Sequence, residues 1–435
     1  MSPQFWIDLS EGLIDQARHI RFTGLAAGEA SLRAWLQCAD GSRWESHARF
    51  LIGAPGELDL AKDAPHSGDW LSADAMALVW SMHQVKPPTS VPSQESLAAQ
   101  RVELQLTDAK GQQISGAFTQ HYLAAGVQRS EIREGGVSGT LFRPEGDQPR
   151  AAVVVLNGSG GGTPQQRAAL YAAHGYTALA LGYFKAPGRP EHISDTPLEY
   201  FQQALEWVAN TLKPKDDFIA VAGLSRGGEL ALLLGSYFPG LVSAVIGYVP
   251  SSVVHGTLRA GRPEQPRDAN AWTWQGQPLT NVWQNNPRVD WRPFDVAEPA
   301  GAPIRQAPAF VAVQQDAPSV ARARIPVENI NGPLLLISGD DDGFWPSAAY
   351  SAEIEADLHA RGHAWPVEHV LNQGAGHAIG FPYVPTTMIA RLHPVARVSI
   401  SGGGTPAANA LANQHSWGRV LAFLDRAVAA RSSAR

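Results

Sequence analysis

The sequence predicts two folds in succession: an all-β sandwich over residues 1–126, then an α/β domain over 127–435 whose mostly parallel sheet carries helices on both faces. Three observations predict this. The first part holds short, partly alternating β-forming stretches separated by turn residues, the pattern of strands with one buried face. The second alternates continuous apolar runs with helical spacing, the pattern of fully buried parallel strands and their crossover helices. Within it stands "VAGLSRGGELALLLG" (Val221 to Gly235), with one serine at the bend between an apolar strand and an apolar helix.

The elements follow in order. "HIRFTGL", "ASLRAWLQC", "RWESHARFLI", "AMALVWSM" and "RVELQLTD" read as strands, separated by "AAGEA", "ADGS" and "GAPGE". "KPPTSVPSQES" (Lys86 to Ser96) reads as a loop inside that domain, and the border falls near "YLAAGVQRSEIREGG". Beyond it, "AAVVVLNGSGGG", "YTALALGYF", "DFIAVAGL", "LVSAVIGYV", "GPLLLISG" and "WPVEHVL" read as strands. "PQQRAALYAAHG", "TPLEYFQQALEWVANTL" and "GGELALLLGSYF" read as helices, the second with Thr196 and Pro197 as cap and first turn. Residues 251–332, rich in Pro, Gly, Asn and Gln, interrupt the rhythm and read as a long excursion near the active face.

Composition bounds the function. The chain has 435 residues, 44% hydrophobic and 17% charged, a globular balance sufficient for two cores. A net charge of −6 offers no electrostatic footing for nucleic acid or an anionic membrane. The single Cys38 allows no internal disulfide and reads as packing rather than a nucleophile. No apolar run reaches the about 20 residues of a membrane span. The opening "MSPQFWIDLSEGLID" lacks the basic and long apolar regions of a signal peptide. The closing Ser433-Ala434-Arg435 is not a Ser-Lys-Leu address, so the expected location is the cytoplasm.

Gly223-Leu224-Ser225-Arg226-Gly227 fits G-x-S-x-G, a weak signal alone in a chain with 42 glycines. Its setting, after a strand and opening a helix, is that of a nucleophile elbow in an α/β hydrolase. The glycines permit the strained turn and clear space beside the serine. A serine hydroxyl needs a base, and the base an orienting acid, in the chain order Ser, acid, His. "GPLLLISGDDDGFW" sets acids after a buried strand, and "WPVEHVLNQGAGHAIGFPY" sets His377 in a glycine-rich loop after another. Asp342 is the favoured acid and Asp341 the next, since three adjacent carboxylates cannot all face one imidazole. The oxyanion hole needs backbone N–H donors. Arg226 is one, and Ser159 or Gly160 in "NGSGGG" (Asn157 to Gly162) the other. No Lys-Ser/Thr follows these glycines, which argues against a phosphate-binding P-loop. His359 and His363 sit at metal-ligand spacing, but no Glu lies between them and Gly362 ends the helix, so no metal and no cofactor are expected. The 13 Trp residues read as core and subdomain contacts.

These motifs together resemble the acyl-CoA thioesterase / bile acid-CoA:amino acid N-acyltransferase family. "GLSRGGEL" resembles its G-x-S-K-G-G-E-L nucleophile helix, and "LNGSGGG" its glycine-rich loop. "GDDDGFWPSAAYSAEI" is similar to its G-x-D-D-x-x-W segment, which puts the acid on Asp342. "GAGHAIGFPYVP" is similar to its G-H-x-I-x-x-P-Y-x-P segment, which puts the base on His377. "SGGGTPAANALANQHSWGRVLAFL" is similar to its C-terminal helix, and "GLAAGEASLRA", "GSRWESHARF" and "DAMALVWSM" to its N-terminal half. Arg226 stands where the family usually has Lys, and Gly343-Phe344 where a His-Asn pair is common. The resemblance implies a β-sandwich joined to an α/β-hydrolase domain, an acyl-CoA thioester as substrate, and hydrolysis through an acyl-serine. In the family, members with serine are mainly hydrolases and the amino-acid conjugating member carries cysteine. Three other readings stay open. One is a carboxyl-ester or lactone hydrolase like the dienelactone hydrolases, which generally lack the sandwich. Another is an acyl-CoA:amine N-acyltransferase. The third is a non-catalytic binding protein.

Overall fold

The computed structural model describes residues 3–89, 95–395 and 397–433. Residues 90–94 of the loop expected from Lys86 to Ser96, and the C-terminal Ala434 and Arg435, lie outside the described residues. The chain divides into two compact units, one of residues 1–124, 381–389 and 405–414, the other of 125–380, 390–404 and 415–435.

The first unit holds two sheets. Gln4–Ile7, Ile20–Thr23 and Leu58–Asp59 form a three-stranded sheet. A seven-stranded sheet is built around Gly28–Gln37, which pairs antiparallel with Arg43–Ile52 on one side and Gln100–Thr107 on the other. Alternation sets their faces. Ala30, Leu32, Ala34 and Leu36 are buried and their neighbours face outward, and Val102, Leu104 and Leu106 repeat the pattern. These residues share one core with Ile20, Phe22 and Leu58 of the smaller sheet. One expectation is corrected: "AMALVWSM" is not a strand, because Ala77–Trp80 is a helical turn with all four side chains buried. A strand with one wet face would have exposed half of them. Segments 381–389 and 405–414, assigned from sequence to the second domain, belong to this unit. Thr386 N–H donates to the Trp80 carbonyl, Thr387 Oγ1 donates to the Met82 carbonyl, and Ala410 joins the core.

The second unit is built on an eight-stranded sheet. Its strands are β1 (Val127–Ile132), β2 (Gly139–Pro144), β3 (Ala152–Leu156), β4 (Thr177–Leu181), β5 (Ile219–Leu224), β6 (Ala244–Tyr248), β7 (Leu334–Gly339) and β8 (Val367–Asn372). The spatial order is β1-β2-β4-β3-β5-β6-β7-β8. Only β2 runs against the rest, pairing antiparallel with β1 and β4, while the other pairs in this sheet are parallel. This is the α/β-hydrolase arrangement. The β1–β2 hairpin was not anticipated: Val127–Ile132 is mostly exposed and polar, so it lacks the apolar run that announces β3 to β7.

The helices that flank the sheet include α1 (Gln165–Ala173) on β2 and β4, α2 (Leu198–Trp207), α3 (Arg226–Tyr237) on β5 and β6, and α4 (Ser347–Ala360) on β7 and β8. Thr196 does not cap α2. Its hydroxyl donates to the Ile193 carbonyl, while Thr196–Pro197 pairs with Trp272–Thr273 as a short strand. The excursion at 251–332 is ordered around its own aromatic core. Trp283, Phe294 and Phe310 pack there with Trp345 and Tyr350 from the segment after β7. Among the described residues no helix is long and apolar enough to cross a membrane.

Phe201 of α2 is fully buried, with its ring edge-on to Tyr183 at 5.4 Å and to Trp272 at 6.1 Å. Phe201→Ala should lower the unfolding free energy by about 3–5 kcal/mol. The denaturant midpoint measures this, and a loss below about 1 kcal/mol would contradict the packing described.

Candidate active site

The site starts where β5 stops. Ser225 has φ 58° and ψ −119°, a backbone conformation that L-residues rarely adopt. Hydrogen bonds on both sides hold it. Ser225 N–H donates to the Tyr248 carbonyl at 2.8 Å, and the Ser225 carbonyl accepts from Gly228 and Glu229 N–H at 2.7 and 3.0 Å. Two glycines are sterically required. A Cβ on Gly223 would lie 1.9 Å from the Gly227 carbonyl oxygen, and one on Gly227 would lie 2.5 Å from that of Asn157.

The loop after β7 gives each of its three acids a separate partner. Asp340 accepts from Gly374 N–H at 2.6 Å. Asp341 pairs with Arg305 at 2.6 Å and accepts from Gly404 N–H at 2.8 Å. Asp342 turns inward and lies 2.9 and 3.0 Å from His377 Nδ1. It also accepts from Ser347 Oγ at 2.6 Å and from the backbone N–H groups of Phe344 and Trp345 at 2.9 and 3.3 Å. A carboxylate at Nδ1 keeps the proton on that nitrogen and leaves Nε2 as the acceptor. Nε2 is buried and meets no hydrogen-bond partner among the described residues, the Ser225 hydroxyl included. Phe344, the residue at the family's His-Asn position, stacks on His377 with 4.4 Å between ring centres and 10° between planes.

Ser225 opens onto a cleft with about 390 Å³ of empty space, whose walls include Ser159, Arg226, Phe344, Trp345 and His393. The N–H groups of Ser159, Gly160 and Arg226 meet no acceptor among the described residues. A Cβ added to Gly158 would sit 3.2 Å from Ser225 Cβ, so this glycine loop runs directly beside the serine. The Ser159 hydroxyl lies 2.9 Å from His393 Nε2. His363 Nε2 lies 3.3 Å from the Gly332 carbonyl, and His359 ends α4. Cys38 packs half-buried against the core of the first unit, with burial pushing its thiol pKa up.

Several residues of the site carried no sequence signal of their own. The Arg226 guanidinium is buried. It pairs with Glu229 at 2.9 Å and donates to the carbonyls of His255 and Gly256 at 3.1 and 2.7 Å. Burial pushes the Glu229 carboxyl up, and Arg226, Trp272 and the His255 amide pull it back. The forked guanidinium satisfies a carboxylate and two carbonyls at once, which a lysine ammonium would do only as a point charge. His255 is fully buried, stacked on Trp345 at 5.2 Å, and accepts at Nδ1 from Trp283 Nε1 at 2.9 Å. Its Nε2 therefore bears the proton and donates to Ser251 Oγ at 3.0 Å. Glu229 was legible only as part of the "GGEL" resemblance. His255 lies in the excursion, which has no periodicity to read.

The chain matches known families over most of its length. The model of the BAAT / acyl-CoA thioester hydrolase C-terminal domain matches residues 196–430. That of the acyl-CoA thioester hydrolase/BAAT N-terminal region matches residues 15–134. The chain is 30% identical to acyl-coenzyme A thioesterase 2, mitochondrial, of Mus musculus, over 96% of this chain and 88% of the relative. It is 29% identical to acyl-coenzyme A thioesterase 1 of Mus musculus and also to that of Homo sapiens, each over 95% of this chain and 93% of the relative.

Two outcomes follow from the geometry. Gly227→Ala should destabilise the protein by about 2–4 kcal/mol, because a backbone carbonyl cannot move aside as a side chain can. Denaturant unfolding measures this, and a change under about 0.5 kcal/mol would contradict the close approach. Acid should also destabilise the fold through two histidines held neutral. Burial, with Arg226, depresses His255, and burial, with Arg259, Lys185 and His377, pushes His393 down to about 4. Both folded values lie below the unfolded value of about 6.5, so below that pH the unfolded chain binds more protons. Stability is full above about pH 6.5 and is lost as pH falls, by up to about 1.4 kcal/mol per pH unit for each histidine. Comparing denaturant midpoints from pH 7 to 4, His393→Asn should flatten the profile by one proton. An unchanged slope would contradict a neutral His393.

Proposed function

Because this chain belongs to the acyl-CoA thioester hydrolase/BAAT family, we propose that it cleaves acyl-CoA to a free carboxylic acid and CoA through an acyl-serine on Ser225. The observation that carries this reading is the buried Asp342–His377 pair, whose second imidazole nitrogen has no partner among the described residues and whose ring stacks on Phe344, a wall of the cleft onto which the strained Ser225 opens.

In the proposed cycle Ser225 Oγ attacks the thioester carbonyl carbon and its proton passes to His377 Nε2. Asp342 holds the imidazole in the receptive tautomer and stabilises its cation. The negative charge that develops on the carbonyl oxygen falls to the N–H groups of Arg226 and of Ser159 or Gly160, fixed donors that need no reorganisation. The C–S bond breaks, and His377 returns its proton to the departing CoA sulfur, a good leaving group because a thiol has a pKa of about 8.5. Water then loses a proton to His377 and attacks the ester, releasing the carboxylic acid and restoring Ser225. The absent Ser225–His377 hydrogen bond fits this sequence, since such contacts are often loose until substrate binds.

Ser225→Ala and His377→Ala should each cut kcat by about 10⁴-fold or more, with little further loss in the double variant, because nucleophile and base act as a unit. Asp342→Asn should cost about 10³–10⁴-fold through the wrong histidine tautomer. Asp341→Asn, with its loop partners outside the reaction, should stay within about tenfold. A greater loss from Asp341→Asn than from Asp342→Asn would overturn the assignment of the acid. Steady-state release of CoA thiol measures all four.

Water rather than an amine should take the acyl group, because an oxygen ester favours amine attack less than a thioester does. With acyl-CoA and millimolar glycine or taurine, mass spectrometry should find mainly free acid. A majority of N-acyl product would overturn the hydrolase reading, and Ser225→Cys should raise the conjugate fraction.

A further inference from the structure

The cleft at Ser225 contains polar atoms that the cycle above does not use. Thr257 Oγ1, Arg259 Nε and Nη2, and Gln306 Oε1 are all buried, and none has a hydrogen-bond partner among the described residues. All three side chains line the same cleft as the serine. Thr257 is 1% exposed and Gln306 7%. The acid nearest Arg259 is Asp295, whose Oδ1 lies 3.8 Å from Nη2, beyond hydrogen-bond reach. That carboxylate is already held by both Nη atoms of Arg267 at 2.6 and 2.9 Å. The Arg259 guanidinium rests against the Phe294 ring, 5.3 Å from its centre.

Buried polar groups in folded proteins are almost always paired, and a buried charge without a partner is costly. Arg259 keeps its ion pair with Asp295, yet its Nε and Nη2, together with Thr257 Oγ1 and Gln306 Oε1, make no hydrogen bond among the described residues, and the three side chains line one cleft. The guanidinium fork and the hydroxyl can both donate to an anion, and among the described residues no acidic side chain lines the cleft to compete for them. The remaining Arg226 guanidinium is spent on Glu229 and two carbonyls.

We propose that this cleft binds the acyl group of a short dicarboxylic acid monothioester, its terminal carboxylate held by Arg259 and Thr257, with the Gln306 amide beside it. The proposal rests on the thioesterase reading and names the substrate class within it. A methyl-terminated acyl chain would leave Arg259 Nε and Nη2 and the Thr257 hydroxyl without a hydrogen bond, and sites built to hydrogen-bond a polar group reject analogues that lack it. The phosphates of CoA supply anionic oxygen too. They lie at the far end of the pantetheine arm from the thioester, whereas these donors share the cleft with the nucleophile.

The test compares adipoyl-CoA with hexanoyl-CoA, equal in carbon number and differing in the terminal carboxylate. In the full-length enzyme kcat/KM for adipoyl-CoA should exceed that for hexanoyl-CoA by about tenfold or more, and Arg259→Gln should erase that ratio. Equal wild-type values, or a variant that loses both substrates in proportion, would overturn the proposal, and the second result would assign Arg259 to the CoA phosphates. Calorimetric titration with free adipate and hexanoate reads the subsite without turnover. Adipate should bind the wild-type protein more tightly, and equal binding of the two acids would overturn the subsite even if Arg259→Gln fails to fold. If neither thioester is hydrolysed yet adipate binds in preference, the thioesterase reading fails and the carboxylate subsite stands.

Discussion

The strained backbone at Ser225 is the constraint on which the rest of this site depends. Holding a serine at φ 58° between a buried strand and a buried helix is unfavourable by itself. It persists because the neighbouring structure allows nothing else. The Tyr248 carbonyl fixes the serine N–H, and the amides of Gly228 and Glu229 in the first turn of α3 fix its carbonyl. Gly223 and Gly227 let that turn close against itself and against β3. Arg226 then ties the start of α3 to the opening of the excursion through Glu229, His255 and Gly256. A buried ion pair of this kind gives little net stability, but losing either partner leaves an uncompensated charge. Its contribution is to fix where the turn sits.

The other groups share the serine's edge of the sheet because strand ends of a parallel sheet gather on one edge. β3 delivers the glycine loop, β7 the three acids and β8 the histidine loop. The acids show how a crowded loop is sorted. Backbone N–H groups and Arg305 engage Asp340 and Asp341, so only Asp342 is free to face the imidazole. The excursion contributes differently. It adds an aromatic core and places Thr257, Arg259 and Gln306 along the cleft.

Much of this was legible in the sequence because it repeats local rules. β3, β4, β5, β6 and β7 are continuous apolar runs, and each emerged as a strand. The serine, the acid-bearing turn and the histidine loop could be read from their positions after such runs. What could not be read lacked a local signature. "AMALVWSM" is apolar on every side, a pattern that fits a short buried helix as well as a strand. β1 is polar because it is an exposed edge. The bonds from Arg226 to the His255 and Gly256 carbonyls, from Trp283 to His255, and the Arg259–Asp295 ion pair join residues tens of positions apart, brought together only by the fold.

The central claim is that Ser225 is the nucleophile. Its most direct measurement is covalent labelling with a fluorophosphonate, followed by peptide mass spectrometry. The folded protein should carry one adduct, on the peptide containing Ser225. Excess acyl-CoA should suppress it, and prior denaturation should abolish it. An unlabelled folded protein, or an adduct on another serine, would contradict the account.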